Sequence, residues 1–482
     1  MCSRPAAAFG DAAAGLVLHS ARGRLALAAT VAASGMASLD ATVVNVAVPH
    51  IGQDLHADVS ALQWVLTGYL LALASLILLG GALGDRFGRR RVFVVGAIAF
   101  AGASALCGLA PSVGWLITAR VLQGIGGALL TPGSLAIIQS IFRPADRATA
   151  VGAWSGLSGV AGALGPLLGG LIVDGPGWRW AFLLNIPVAG FVVVGAHAAI
   201  PETRDQQGGR PVDLRGTGWA VVALATATWA LTEAGPRGWL DGGVLSAAGV
   251  GLAASAAFVR HVRRAGDPLV PPAMFADRDF TVLNIGTFFL YTSIGLTFFL
   301  VAYQLQAAAG WSALRAGLAL LPVTVLMLLF SGRSGSLAEQ VGLRWQLALG
   351  PLAAAGGLLL LTRVGTHPTW STDVAPGAIL LGLGLTTFVA PLTAGVMAAA
   401  GAERAGVASG LNNGIARTAS LTGLAVVPVV SGLAAAHGSA QLTHAYRVAL
   451  VIAAAVAAVA TPMFVLGLRR EPARSPLSTP KN

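Results

Sequence analysis

One lysine, Lys481, serves the whole chain of 482 residues. Its place next to the last residue excludes a Walker phosphate loop, which needs an internal lysine, and any internal Schiff-base chemistry. Two cysteines, Cys2 and Cys107, are too few and too far apart for a disulfide framework or a Cys-x-x-Cys site. The eight histidines are scattered, with no His-Glu-x-x-His and no i, i+4 pair, so no metal site is expected. Charge is scarce: 10% of residues, against about 25% in an ordinary soluble domain. A chain that is 55% hydrophobic has too little polar surface to cover a water-soluble fold. The class is an all-α polytopic membrane protein, because helices satisfy their own backbone groups in lipid. The first 20 residues are alanine-rich but broken by Asp11. No cleavable signal is expected, and the first span directs insertion.

What is present is a succession of apolar runs. About 20 apolar residues cross a bilayer as helix. Candidates lie near 25–49, 61–83, 92–110, 114–139, 148–173, 181–200, 216–234, 243–259, 280–304, 315–331, 345–361, 375–400, 405–434 and 446–468, fourteen spans in all. The net charge of +11 comes from arginines in the short loops between them and reads as a topology signal, not as a nucleic-acid surface. With the N-terminus inside, the basic residues divide 23 to 5 in favour of cytoplasmic segments, leaving Arg120 and Arg417 inside spans. One helix more or fewer would reverse every later loop and spoil this bias, so both termini are expected in the cytoplasm.

"GALGDRFGRRR" (81–91) and "GSLAEQVGLRW" (335–345) share Gly-x-Leu-x-acid-x-x-Gly-x-Arg at a constant offset of 254. Both follow the second helix of a six-helix set. Parallel repeats are therefore expected, with spans 7 and 8 inserted between them, and two related bundles around a central site is transporter architecture. The organisation reads as a cytoplasmic tail (1–23), a six-helix bundle (24–200), a linker carrying spans 7 and 8 (201–279), a second six-helix bundle (280–468) and a cytoplasmic tail (469–482). Spans 7 and 8 should pack at the periphery and give no residue to the central cavity.

The stretch 81–93 resembles the loop 2–3 signature of the major facilitator superfamily. "LDATVVNVAVP", "LQWVLTGYLL" (62–71), "ARVLQGIGGALLTP" (119–132), "LGPLLGG" (164–170) and "WRWAFLLNIP" (178–187) resemble its fourteen-helix drug:proton antiporter branch. One departure is Ala161, where the fifth-span motif usually has glycine; Gly162 stands beside it. The resemblance implies a major facilitator fold and proton-coupled efflux of lipophilic small molecules such as drugs or antibiotics by alternating access in a plasma membrane. It implies no cofactor beyond the proton motive force and no nucleic-acid partner; a monomer is expected. The rivals are proton-coupled uptake of a metabolite by the same fold, a membrane-embedded transferase, and a passive channel. A transferase needs a catalytic histidine or paired carboxylates near one face, and none converges. The abundance of Ala, Gly, Arg and Pro with almost no lysine suggests a GC-rich genome.

Asp40 is the one acid well inside a span. Counting from Pro49 at the outer surface it lies roughly 14 Å deep, and Arg120 lies about 9 Å deep counted from Gly114 at the same surface. Similar depth predicts that they meet, as a structural ion pair or as a proton-coupling site. Burial favours a neutral acid and a nearby arginine a charged one, so a change in either would move a proton. Arg120, with Gln123, matches the family's helix 4 motif. Gly162, Gly165, Pro166, Gly169 and Gly170 form the antiporter motif: a smooth face for close packing or a hinge against the other bundle. Gly81, Asp85, Arg86, Gly88, Arg89 and Arg90 read as a gating loop, the alternative being a plain positive-inside loop, with Asp85 expected near the helix start at Ala405 and Arg89 expected to pair with Asp146. Asn45, Trp64, Tyr69, Asn284, Tyr291, Asn412, Asn413 and Arg417 are further cavity candidates, most of them better explained by hydrogen bonds between helices than by substrate contact. Trp178, Trp180 and Trp239 read as aromatic-belt anchors.

Overall fold

A computed structural model describes residues 15–204, 213–266, 268, 270–401, 405–436 and 438–469. It is all-helical: α1 (Ala21–Asp54), α2 (Val59–Phe87), α3 (Arg89–Gly108), α4 (Val113–Ile141), α5 (Pro144–Asp174), α6 (Arg179–Leu183), α7 (Asn185–Ala199), α8 (Leu214–Arg237), α9 (Gly242–Arg264), α10 (Arg278–Tyr303), α11 (Ala313–Ala319), α12 (Leu321–Val341), α13 (Leu343–Leu361), α14 (Ala375–Ala400), α15 (Ala405–Val430) and α16 (Ser439–Gly467). Starts are set by small polar caps: Ser20, Asp58, Ser112, Asp241 and Asp277 each accept a first-turn backbone N–H.

Against the fourteen spans expected, twelve helices among the described residues are long and apolar enough to cross a membrane. A thirteenth is the pair Ala313–Ala319 and Leu321–Phe330, bent by 41° at the break between them. The helix that falls short is α8, where the expected span 216–234 is diluted by threonines and by Glu233. Helices also run beyond their apolar stretches: α1 begins at Ala21 and ends at Asp54, not at 25 and 49.

Two sets of helices pack among themselves. In the first, α5 and α7 lie on α1, while α4 lies between α2 and α3. In the second, α10 contacts α15 and α16, and α13 contacts α14 and α16. The pair α8–α9 stands aside. Here α8 lies against α2 and α15 and α9 packs on α8, with a small apolar cluster of Ala230, Ala234 and Val244 between them. Glu233 sits in the last turn of α8 and accepts the indole N–H of Trp64 at 3.2 Å. Trp64, a cavity candidate from the sequence, is thus engaged by an inserted helix.

The offset of 254 has a backbone counterpart. Gly88 between α2 and α3 has φ 107°, and Gly342 between α12 and α13 has φ 88°. Both helix junctions need a left-handed residue, which glycine adopts without Cβ strain. Gly96 and Gly350, at the same offset, both lie at close helix crossings, on α4 and α14 respectively. The side chains of Gly335, Leu337 and Glu339 in the second copy lie outside the described residues. Gly88→Ala should destabilise the protein by about 1–3 kcal/mol from backbone strain alone. The new Cβ would also lie 2.6 Å from a carboxylate oxygen of Glu202. Thermal unfolding of Gly88→Ala and of Gly88→Ala/Glu202→Ala separates the two causes: the second variant recovers only the steric part.

The core is divided by depth. Helix ends 88, 142–143, 200–204, 278–279 and 469 share an arginine-rich face. Near the opposite face, Val44–Ile51, Leu62, Val65, Leu116, Val173 and Phe182 of the first set belong to one apolar cluster with the second set. Towards the arginine-rich face the first set has a core of its own, from Leu18 and Ala26 to Phe93, Phe142 and Ile200. The sets are joined at one end and separately cored at the other.

Candidate functional site

Asp40 and Arg120, at similar depth in the sequence, meet in the structure. Arg120 donates from Nη1 to Asp40 Oδ2 at 2.5 Å, and both side chains are buried. Gln123, one turn further along α4, donates to Asp40 Oδ1 at 2.8 Å. Two partners were not legible in the sequence. Asn185, at the start of α7, donates to Asp40 Oδ1 at 2.9 Å, and Ser104 of α3 accepts from both Gln123 and Asn185. The available signal was an amide beside Pro187 in an otherwise apolar run. Arg120 is held on its other side as well. Its Nε donates to the Val65 carbonyl of α2 at 3.1 Å, and its guanidinium lies 4.3 Å from the Tyr69 ring centroid and 5.7 Å from that of Phe182. Four helices therefore contribute side chains to one polar cluster, and α2 contributes a carbonyl and a ring. The charge is paired and hydrogen-bonded, which is the condition for a carboxylate inside hydrocarbon. Asn45, further along α1, is also buried.

The glycine motif of α5 serves both expected uses. Gly162, Gly165 and Gly169 face α1, where a Cβ would meet Ser38, Thr42 and Val43, and Thr42 donates to the Gly162 carbonyl at 2.9 Å. Ala161 meets Gly35 of α1, so the methyl is accommodated by a glycine across the contact. Gly170 and Pro166 face the second set instead. A Cβ on Gly170 would lie 2.5 Å from the Leu314 Cα, and one on Gly317 would overlap the Pro166 carbonyl oxygen. Beyond them Asp174 accepts the backbone N–H groups of Ala313 and Leu314, at 3.0 and 2.7 Å, at the start of α11. Gln306 donates to the Val46 carbonyl of α1 at 3.0 Å. These contacts close the face opposite the arginine-rich one.

The loop after α2 differs from expectation. Arg89 and Asp146 do not pair. Arg89 bonds Asp85 of its own junction at 2.8 Å, and Asp146 bonds Arg143 and the backbone N–H of Leu18. An i, i+4 or i, i+3 partner on a helix end is always within reach, so local pairing wins over a pair between loops. Asp85 is placed with Arg89 and not at the start of α15; residues 402–404 before that start lie outside the described residues. Arg90 donates its backbone N–H to Glu202 at 3.1 Å and its guanidinium to the Ile200 carbonyl. Glu202, unforeseen, ties the loop to the end of α7. Arg86 is exposed beside Phe87, and Gly81 has only ordinary contact with Pro132.

In the second set the amides bond to neighbouring helices or to their own. Asn412 donates to Thr287 at 2.8 Å and to Asn284 at 3.2 Å. Asn284 donates to the Phe280 carbonyl and Asn413 to that of Ser409. Tyr291 on α10 accepts Ser420 on its carbonyl. Trp180 and Trp239 are exposed, as belt anchors would be, but Trp178 is buried and donates to Asp54 at 3.1 Å.

Comparison with known proteins places this arrangement. The profile of the Major Facilitator Superfamily matches residues 30–422. The tetracenomycin C resistance and export protein of Streptomyces glaucescens is 36% identical over 404 residues, covering 82% of this chain and 73% of that one. The puromycin resistance protein of Streptomyces alboniger is 36% identical over 451 residues, 89% and 88% of the two chains. Among solved structures, a bacterial homologue of the human lysosomal transporter Spinster, inward-facing and unoccupied, superposes with a TM-score of 0.62 at 20% identity, covering 94% of this chain and 99% of that one. The chain belongs to the Major Facilitator Superfamily.

Proposed function

We propose that the protein exports lipophilic small molecules of the drug or antibiotic class in exchange for protons. Membership of the family makes it a transporter and not an enzyme, a multi-pass protein of the cell membrane. The observation that carries the proton coupling is the buried Asp40–Arg120 pair, because Arg120 is tied to α2 through the Val65 carbonyl and the Tyr69 ring. Helix α2 also packs against α15 of the other set. In the exchange step α2 and α4 shift against α1 within the first set, and Arg120 is drawn off Asp40. The carboxylate then loses its main counter-charge, which is the condition for taking a proton. Return of α2 and α4 restores the arginine and expels the proton. The energy source is the proton motive force, with no cofactor, and the working unit is a monomer.

In this reading α8 and the bent α11–α12 pair complete fourteen crossings, with both termini and the arginine-rich face in the cytoplasm. The face closed through Asp174, Gly170 and Gln306 is then the outer one, so the arrangement is inward-facing. The loop of Gly81–Arg90 is its gate, latched to Glu202 and Asp85 while the inner face is parted. Asp146 anchors the α4–α5 turn to the segment at Leu18.

The test is a drug-susceptibility panel in a pump-deficient bacterium with and without the protein, repeated with a proton ionophore. Expression should raise the inhibitory concentration of at least one lipophilic compound by about fourfold or more, equivalent to under 1 kcal/mol of free-energy difference. The ionophore should abolish the gain. Accumulation of substrate in expressing cells would mean uptake and would overturn the direction proposed.

A further inference from the structure

We infer that Arg417 binds an anionic group of the transported molecule, so that the preferred substrates are lipophilic acids; this rests on the export reading above. Arg417 lies twelve residues into α15, roughly 18 Å along the axis, far from either helix end. Gly410 and Gly414 of the same helix face Leu78 and Ile77 of α2. Arg417 continues that stripe at i+3 from Gly414, so it projects towards the seam between the two sets. It is half-buried there, within electrostatic reach of Tyr69 of α2 and Tyr291 of α10. Among the described residues it has no ion pair and no hydrogen bond, whereas Arg120 has both.

The charge count around it is one-sided. Residues 280–338, 340–372, 374–402 and 404–470 contain no aspartate or glutamate. From α10 onward the acids up to residue 470 are Asp279, Glu339, Asp373 and Glu403; Asp279 is in the first turn of α10, Glu339 in the last turn of α12, Asp373 before α14, and Glu403 lies in sequence between α14 and α15. The first set offers Asp40, but both of its oxygens are already taken by Arg120, Gln123 and Asn185. Arg120 and Asp40 cancel, and Arg417 leaves the interior with one uncompensated positive charge. An ionised group at this depth is costly unless something neutralises it, and it marks a functional contact. The titratable groups within its electrostatic reach among the described residues are two tyrosines, which cannot neutralise it at neutral pH. An anion on the substrate can, and a guanidinium offers it a two-pronged donor fork. A cationic compound would meet the same charge as repulsion.

The experiment uses the purified full chain in nanodiscs without a pH gradient, and two probes that share one ring system. 1-Anilinonaphthalene-8-sulfonate carries an anion; N-phenyl-1-naphthylamine lacks it. Binding is measured by equilibrium dialysis against empty nanodiscs. The sulfonate should bind the protein at least about tenfold more tightly than the neutral probe, and Arg417→Gln should remove that preference while leaving the neutral probe within about twofold. Arg417→Lys should retain part of it, since it keeps the charge and loses the fork. Equal binding of the two probes by the unmodified protein would overturn the inference. So would an unchanged sulfonate affinity in Arg417→Gln, or an equal fall for both probes, which would mean a structural role. Proteoliposomes with an imposed pH gradient separate this from the export reading. Binding of the sulfonate without its export leaves the anion site standing and sinks the export. Export of the neutral probe, with the sulfonate treated alike by both variants, does the reverse.

Discussion

Asp40→Asn should leave the protein inserted in the membrane and abolish export driven by a pH gradient, with a fall of about 100-fold or more. An amide has nearly the shape of the carboxylate and keeps an acceptor for Arg120 and a neighbour for Gln123 and Asn185. It cannot take a proton, so the step in which Arg120 withdraws has nothing to couple to. The substitution also leaves Arg120 buried without its counter-charge, which costs about 3–5 kcal/mol where nothing relaxes. Lower yield is therefore expected. Asp40→Asn/Arg120→Gln controls for it, since it removes both charges and should restore thermal stability without restoring coupling. Substrate counterflow, which needs no net proton movement, should survive in the double variant. Equal gradient-driven export by Asp40→Asn and the unmodified protein between about pH 6 and pH 8 would show that the pair is structural only.

The second large effect concerns the closed face. Gly317→Val places a β-carbon where the Pro166 carbonyl oxygen stands, and Gly170→Val strikes the Leu314 backbone. Neither obstacle is the far end of a flexible side chain, so relief requires that α5 and α11 move apart. Overpacking of this kind costs about 1–3 kcal/mol. The penalty falls only on the state in which these helices touch, so it converts to a population shift of about five- to 150-fold towards the other state. Transport should drop by a similar factor, because the cycle needs both states. Double electron–electron resonance between labels at Ala57 and Ala309, both on the closed face, should report longer distances. Gly159→Ala on the same helix meets nothing within 4 Å and should leave transport and distances unchanged. Unaltered distances with normal transport in Gly317→Val would mean that the glycines serve packing only, and that the face is not a gate.

The bent pair α11–α12 and the mixed-polarity α8 show why hydropathy alone miscounts crossings at particular segments. In α11–α12 the apolar run is continuous, but the helix breaks at Leu320, and the break lets Gly317 reach α5. In α8 the helix is long enough but mixed, because one side packs on α2 and α15 and tolerates Thr228, Thr232 and Glu233. A polar residue turned towards another helix dilutes the signal without shortening the helix.

What the sequence alone determined was everything that runs along an axis. Apolar run lengths placed the helices, and the rise per residue put Asp40 and Arg120 at one depth. The 254-residue offset picked out Gly88 and Gly342, whose shared left-handed backbone follows from the lack of a Cβ. Rotation about each axis was decided only by tertiary structure. These helices are apolar all round, with no polar stripe to mark the inward face. Nothing in the pattern could therefore say that Asn185 and Ser104 turn towards Asp40, that Trp64 turns to Glu233, or that Trp178 turns inward while Trp180 turns out. For the same reason Arg89 and Asp146, close in the predicted topology, each settled on a local partner. The contrast between the two mid-span arginines arises there too. In sequence they are alike, and only the packing gives Arg120 a carboxylate while leaving Arg417 facing the seam without one.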